Sequence, residues 1–99
     1  MPSARILLAA LAALVALAPG EAQRRTDFDA AREGVKAGHV RPLHEIEQRV
    51  VPRMGGADYL GPEFDAGSGI YRLKFMRAGS VIWIDVDGRT GAVIGRSGN

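Results

Sequence analysis

Between Ile70 and Met76, apolar and charged positions alternate. Tyr71, Leu73 and Phe75 fall on one side, and Arg72 and Lys74 on the other. A period of two marks a strand that is half-buried on one face. Val81 to Val86 is a second such run, denser in β-branched and aromatic residues. Arg77-Ala78-Gly79-Ser80 between them suits a hairpin loop. Asp87-Gly88-Arg89-Thr90-Gly91 reads as a turn, after which Ala92-Val93-Ile94 begins a further strand. Strands joined in succession by short turns predict an antiparallel meander, and its apolar face needs a cover.

The preceding segment supplies one. Phe28, Ala31 and Val35 follow helical spacing, which predicts a short helix from about Asp27 to Ala37. Thr26 is its expected N-cap, with Asp29 as the acidic half of a capping box and Gly38 as its stop. Gly34 within it costs roughly 1 kcal/mol relative to Ala. Gln23-Arg24-Arg25 before it reads as frayed, and His39-Val40-Arg41 after it as a link. Pro42 suits a first helical position, and Leu43, Ile46 and Val50 then form an apolar stripe. Pro52 is expected to end this second helix and to bias Val51 away from helical angles. Arg53-Met54-Gly55-Gly56 turns the chain. In Ala57 to Asp65, Tyr59, Leu60 and Phe64 suggest a strand that Gly61-Pro62 interrupts, so it belongs at an edge or is broken. Asp65-Ala66-Gly67-Ser68-Gly69 is a flexible turn into the meander. The fold class expected is α+β, with one or two short helices packed on a four-stranded antiparallel sheet. The helical part covers 26–52 and the meander 57–96.

The first residues follow another pattern. Met1-Pro2-Ser3-Ala4-Arg5 is a short basic opening, Ile6 to Ala18 is an unbroken apolar run, and Gly20-Glu21-Ala22 sets small residues at both positions that a signal peptidase reads. This layout predicts a secretory signal peptide over 1–22, cleaved after Ala22. The apolar run falls short of the roughly 20 residues that span a bilayer, so no membrane span is expected after cleavage. A single domain, 23–99, would then reside in the periplasm or be secreted.

Composition sharpens this picture. The 99 residues include no cysteine, which excludes disulfides, thiolate metal ligands and a lipoprotein anchor. Stability must come from a core that, at ~70–80 residues, rarely yields more than about 3–5 kcal/mol. A homodimer or another partner would add to it. The net charge of +2 survives cleavage, because Arg5 and Glu21 leave together. The basic residues are scattered and the chain is expected outside the cell, so no nucleic-acid partner is expected.

Candidate chemistry is thin. His39 and His44 would lie about 140° apart on a continuous helix, which Pro42 interrupts, and a third ligand such as Glu45 or Glu47 would be needed for a metal. They read as surface histidines, and no metal or cofactor is expected. Asp85-x-Asp87 opens like a calcium loop, but Arg89, Thr90 and Arg96 stand where an acid, a glycine and a bidentate glutamate belong. Asp87 reads as a turn former and Asp85 as a solvated strand residue. Ser68 lacks the strand-turn-helix setting of a nucleophile elbow, and Gly67-x-Gly69 is too short to cradle phosphate. No enzyme is expected. Trp83 fits two registers. A core position is preferred; the alternative exposes it beside Val81 and Asp85 as a contact surface.

Taken in order, these segments resemble the PepSY domain family. Ile70-Tyr71-Arg72-Leu73-Lys74-Phe75 looks like that family's central strand, and Ile82-Trp83-Ile84-Asp85-Val86-Asp87 like its next strand. Asp87 to Ile94, with Asp87, Thr90 and Gly91 shaping an Asp-x-x-Thr-Gly turn, looks like its closing turn and last strand. Leu43 to Val50 falls where the family has its helix. The similarity covers about Val40 to Gly95, with Gly61-Pro62 as a departure. The resemblance implies a small exported or envelope-facing module without catalytic residues. Some family members lie in propeptides of secreted metallopeptidases, and restraint of peptidase activity has been proposed for the family.

Two functional classes follow. The first is a module that binds and modulates an envelope or secreted peptidase. Its contacts would be an added strand at the edge holding Pro62 or a patch of Trp83, Val81, Arg72 and Lys74. The second is a periplasmic sensor holding a small apolar or anionic ligand between helix and sheet, with Arg72 or Lys74 at the rim.

Overall fold

The computed structural model describes residues 19–97. The charged opening and apolar run of the expected signal peptide lie outside the described residues. Within them, helices α1 (Pro19–Lys36) and α2 (Leu43–Val50) precede strands β1 (Asp58–Asp65), β2 (Ile70–Arg77), β3 (Ser80–Asp87) and β4 (Val93–Arg96). The strands form one antiparallel sheet in the order β1-β2-β3-β4. The expected α+β arrangement is therefore the observed one.

The first helix starts earlier than its apolar spacing predicts and runs through Ala22. Gln23-Arg24-Arg25 is helical, not frayed. Thr26 is no cap: its hydroxyl donates to the Ala22 carbonyl one turn back, at 3.0 Å. Gln23 Nε2 also reaches Asp27 Oδ1, at 3.1 Å. Polar side chains with partners one turn away carry a helix through a segment that has no apolar stripe. At the other end, Gly38 takes φ +78°, as an αL stop does. Gly34 serves the linker as well. A Cβ there would come within 2.5 Å of Val40 Cγ2, so its lack of a side chain lets Val40 fold back onto α1.

Pro42 sits at the N-cap of α2, one position earlier than expected. Val51 remains helical, at φ −56° and ψ −44°, which corrects the expected bias from Pro52. The chain tightens into a 3₁₀ turn, Val51–Met54, in which Pro52 is the second residue. A first-turn residue needs no N–H donor, so the ring is accommodated. Met54 is thereby buried instead of lying in a loop.

Alternation along β2 and β3 places the core. Tyr71, Leu73 and Phe75 pair across the ladder with Val86, Ile84 and Ile82, and all six are buried against Ile46 and Val50 of α2 and Ala31 of α1. Phe64 joins from β1, its ring 4.8 Å from that of Tyr71. Fully burying one such side chain contributes about 1.5–3 kcal/mol. β1 is an edge strand with a bulge between Tyr59 and Gly61, and Pro62 pairs opposite Leu73. The edge position is what tolerates the missing proline donor.

Polar bonds lash the layers together. The Tyr59 hydroxyl donates to Glu47 Oε2 at 2.6 Å, tying β1 to α2. The Tyr71 hydroxyl donates to the Arg41 carbonyl at 3.1 Å, and the Arg41 N–H donates to the Gly88 carbonyl at 2.6 Å. The interhelical linker is thus bound to the turn after β3.

Candidate functional site

With the helices on one face of the sheet, the opposite face of β2 and β3 carries Arg72, Lys74 and Met76 against Asp85, Trp83 and Val81. This corrects the preferred placement of Trp83. Ile82, Ile84 and Val86 must share a face with their buried partners on β2, so Trp83 points away from the core and is half-buried. Val81 beside it is 47% exposed.

This face is a lattice of paired charges around an aromatic ring. Arg72 donates from Nε to Asp85 Oδ1 at 2.8 Å and from Nη2 to Oδ2 at 3.0 Å. Its guanidinium carbon lies 4.7 Å from the centroid of the Trp83 ring, within cation–π range. The bond to Asp85 pushes the Arg72 pKa further up. Lys74 Nζ lies 3.3 Å from Glu63 Oε2 on β1. Asp85, expected as a merely solvated residue, instead fixes Arg72. At the end of the ladder, the Ser97 N–H donates to the Trp83 carbonyl at 2.9 Å and the Trp83 N–H to Ser97 Oγ at 2.8 Å. Trp83 is therefore held at its backbone by Ser97 and covered on its ring by Arg72.

The Asp87 turn is built from its own polar groups. The Arg89 N–H donates to Asp87 Oδ1 at 2.8 Å, and the Gly91 N–H to the Asp87 carbonyl at 2.8 Å. Thr90 Oγ1 accepts from the Ala92 N–H at 3.2 Å, and Gly91 takes φ +77°. Gly91 also leaves room for a side chain. A Cβ there would lie 2.6 Å from Arg49 Nη1.

Among the described residues, two clefts with charged side chains on both walls flank the sheet, apart from a mostly apolar one of about 400 Å³ between α1 and the start of α2. Beside α1, about 420 Å³ is enclosed by Arg24, Asp27 and Phe28 against Glu63, Phe64, Asp65 and Arg72. Of the two expected rim residues, Arg72 lines this cleft and Lys74 does not. Its lining is mainly acidic, with Asp27, Glu63, Asp65 and Asp85 against Arg24 and Arg72. Asp65 is held below the usual carboxylate range, chiefly by the Ser68 hydroxyl.

The second cleft, about 500 Å³, lies between α2 with its 3₁₀ extension and β4. Arg49, Arg53 and Arg96 line it over Val50, Met54, Ile84 and Val93, and no acidic residue contributes. None of these arginines forms an ion pair among the described residues. The sequence reading missed this group. Arg49 and Arg53 at i, i+4 share a helical face, which was the available signal. Arg96 joins them because an irregularity in the β3–β4 ladder sets it opposite Ile84, on the helix side.

His39 and His44 are exposed, and among the described residues no cluster of three metal-binding side chains forms. No described helix is long and apolar enough to cross a membrane. No protein-family model, curated protein sequence or solved structure matches this chain.

Proposed function

We propose that this chain is a non-catalytic, exported binding module of the PepSY kind that engages and restrains an envelope or secreted peptidase. The observation carrying this reading is the sheet face on which Trp83 is presented half-exposed, with Arg72 stacked on it and Asp85 fixing Arg72. A rigid aromatic beside an exposed Val81 suits a protein contact, because little side-chain freedom is lost on binding. The resemblance of Val40 to Gly95 to PepSY domains supports the choice of a peptidase as partner, and the α+β arrangement is the one that resemblance implies. Pairing of Arg72 and Lys74 with Asp85 and Glu63 leaves the face near neutral, so its affinity would depend weakly on salt.

The test is cross-linking of the C-terminally tagged full chain in the envelope fraction of its source organism, followed by assay of any captured peptidase. Capture of a peptidase that the purified chain inhibits, with both effects lost in Trp83→Ala, supports the reading. A thermal shift with small envelope metabolites, and no peptidase inhibited, would favour ligand sensing instead.

A further inference from the structure

We propose that the arginine cleft docks an extended acidic segment of another protein, which adds to β4 as a further strand of the sheet. Three features converge there. Arg49, Arg53 and Arg96 face one space of about 500 Å³, and among the described residues no carboxylate lines it, so charge complementarity selects an anionic occupant. The floor of Val50, Met54, Ile84 and Val93 is apolar, which an inorganic anion would not use but a peptide side chain would. Among the described residues β4 ends the sheet, so no described strand pairs with its outer backbone groups. Strand addition supplies affinity through main-chain hydrogen bonds and specificity through alternate side chains. An extended segment alternating acidic and apolar residues satisfies all three features together.

The position of Arg49 is built into the fold. Its guanidinium occupies the space that the absent side chain of Gly91 leaves, at the head of the loop leading into β4. Arg53 follows one turn later, on the 3₁₀ extension. The cleft lies on the helix side of the sheet and Trp83 on the other, so this site stands independently of the peptidase reading.

The experiment is a fluorescence-anisotropy titration of the full chain with a labelled peptide of alternating glutamate and valine. A lysine-for-glutamate peptide, citrate and inorganic phosphate serve as comparisons. Expected is saturable binding of the acidic peptide alone, weakened about tenfold by Arg49→Gln or Arg53→Gln and unchanged by Trp83→Ala. Alternate N-methylation of the peptide backbone should abolish binding to the unaltered protein, because strand addition needs those amides. The β4 amides should gain hydrogen-exchange protection in the complex. Equal competition by citrate or phosphate, with no effect of N-methylation, would make this a small-anion site and overturn the proposal. Binding indifferent to the arginine substitutions, or no saturable binding at low salt, would overturn it too.

Discussion

Gly88 and Gly69 meet backbone to backbone. The Gly88 N–H donates to the Gly69 carbonyl at 2.8 Å, and a Cβ on Gly88 would lie 2.5 Å from that same oxygen. Gly88 also accepts from Arg41, so three segments converge on one residue: the turn before β2, the turn after β3 and the interhelical linker. Gly88→Ala is expected to force these segments apart and to cost about 1–3 kcal/mol, as overpacking does. Gly67→Ala is the control, since its nearest contact would be an ordinary 3.8 Å to Asp65 Oδ1. Urea unfolding of both variants checks this. Equal midpoints would show that the Gly69–Gly88 approach relaxes freely.

The alternation that located β2 also located the core, because Arg72 and Lys74 leave only one side for Tyr71, Leu73 and Phe75. It did not place Trp83. In β3 the inward residues Ile82, Ile84 and Val86 and the outward residues Val81 and Trp83 are all apolar, so period alone cannot choose a face. Pairing with β2 decides it, and that information lies in another segment. The start of α1 was hidden for a different reason. Its first turns rest on local polar bonds such as Thr26 to Ala22, which leave no apolar stripe to read. The arginine cleft was least legible of all. Its two helical members are close in sequence, but Arg96 reaches them only through an irregular register.

The β2–β3 hairpin closes on two residues, Ala78 and Gly79, with φ +50° and +80°. Positive φ at both matches the right-handed strand twist. Ala78 is the one non-glycine residue with positive φ among those described, a conformation that costs an L-residue roughly 1–2 kcal/mol. Ala78→Asn tolerates it better, so a gain of about 0.5–1 kcal/mol is expected, up to the lower end of that cost. For a domain of this size, such a gain raises Tm by a few degrees. A thermal melt that is unchanged or lowered would remove strain at Ala78 from the account of the hairpin.

The chain has a single tryptophan, so its emission reports on the open face alone. Acrylamide should quench Trp83 in the folded protein, though less than in urea. Arg72→Ala should increase quenching by uncovering the ring. The Arg72–Asp85 pair is bidentate but its side chains are 42% and 21% exposed, which limits its coupling to about 0.2–1 kcal/mol in a double-mutant cycle. Leu73→Ala, on the opposite face of the same strand, should cost about 2–5 kcal/mol. That contrast separates a contact surface from the core. A Trp83 inaccessible to acrylamide would close the face to any partner.

Alkaline stability should depend on Tyr59. Its ordinary pKa is 10.0, and in the fold burial pushes it up strongly, with the hydrogen bond to Glu47 and the Glu47 charge adding to the effect. Burial raises Tyr71 as well. A folded pKa above the unfolded one means that the stabilisation is complete below about pH 10 and is lost as pH climbs beyond it. The urea midpoint should therefore stay level through neutral pH and decline above about pH 10. Tyr59→Phe should cost about 1–2 kcal/mol at neutral pH, by removing a hydrogen bond to a carboxylate. It should also flatten the alkaline decline, because one of the two tyrosines that resist ionisation is gone. Tyr71→Phe should flatten it by a separate amount, since its bond goes to the Arg41 carbonyl and not to a charge. If Tyr59→Phe keeps the full alkaline slope, the decline arises elsewhere, and the Glu47 bond does not govern how this fold meets high pH.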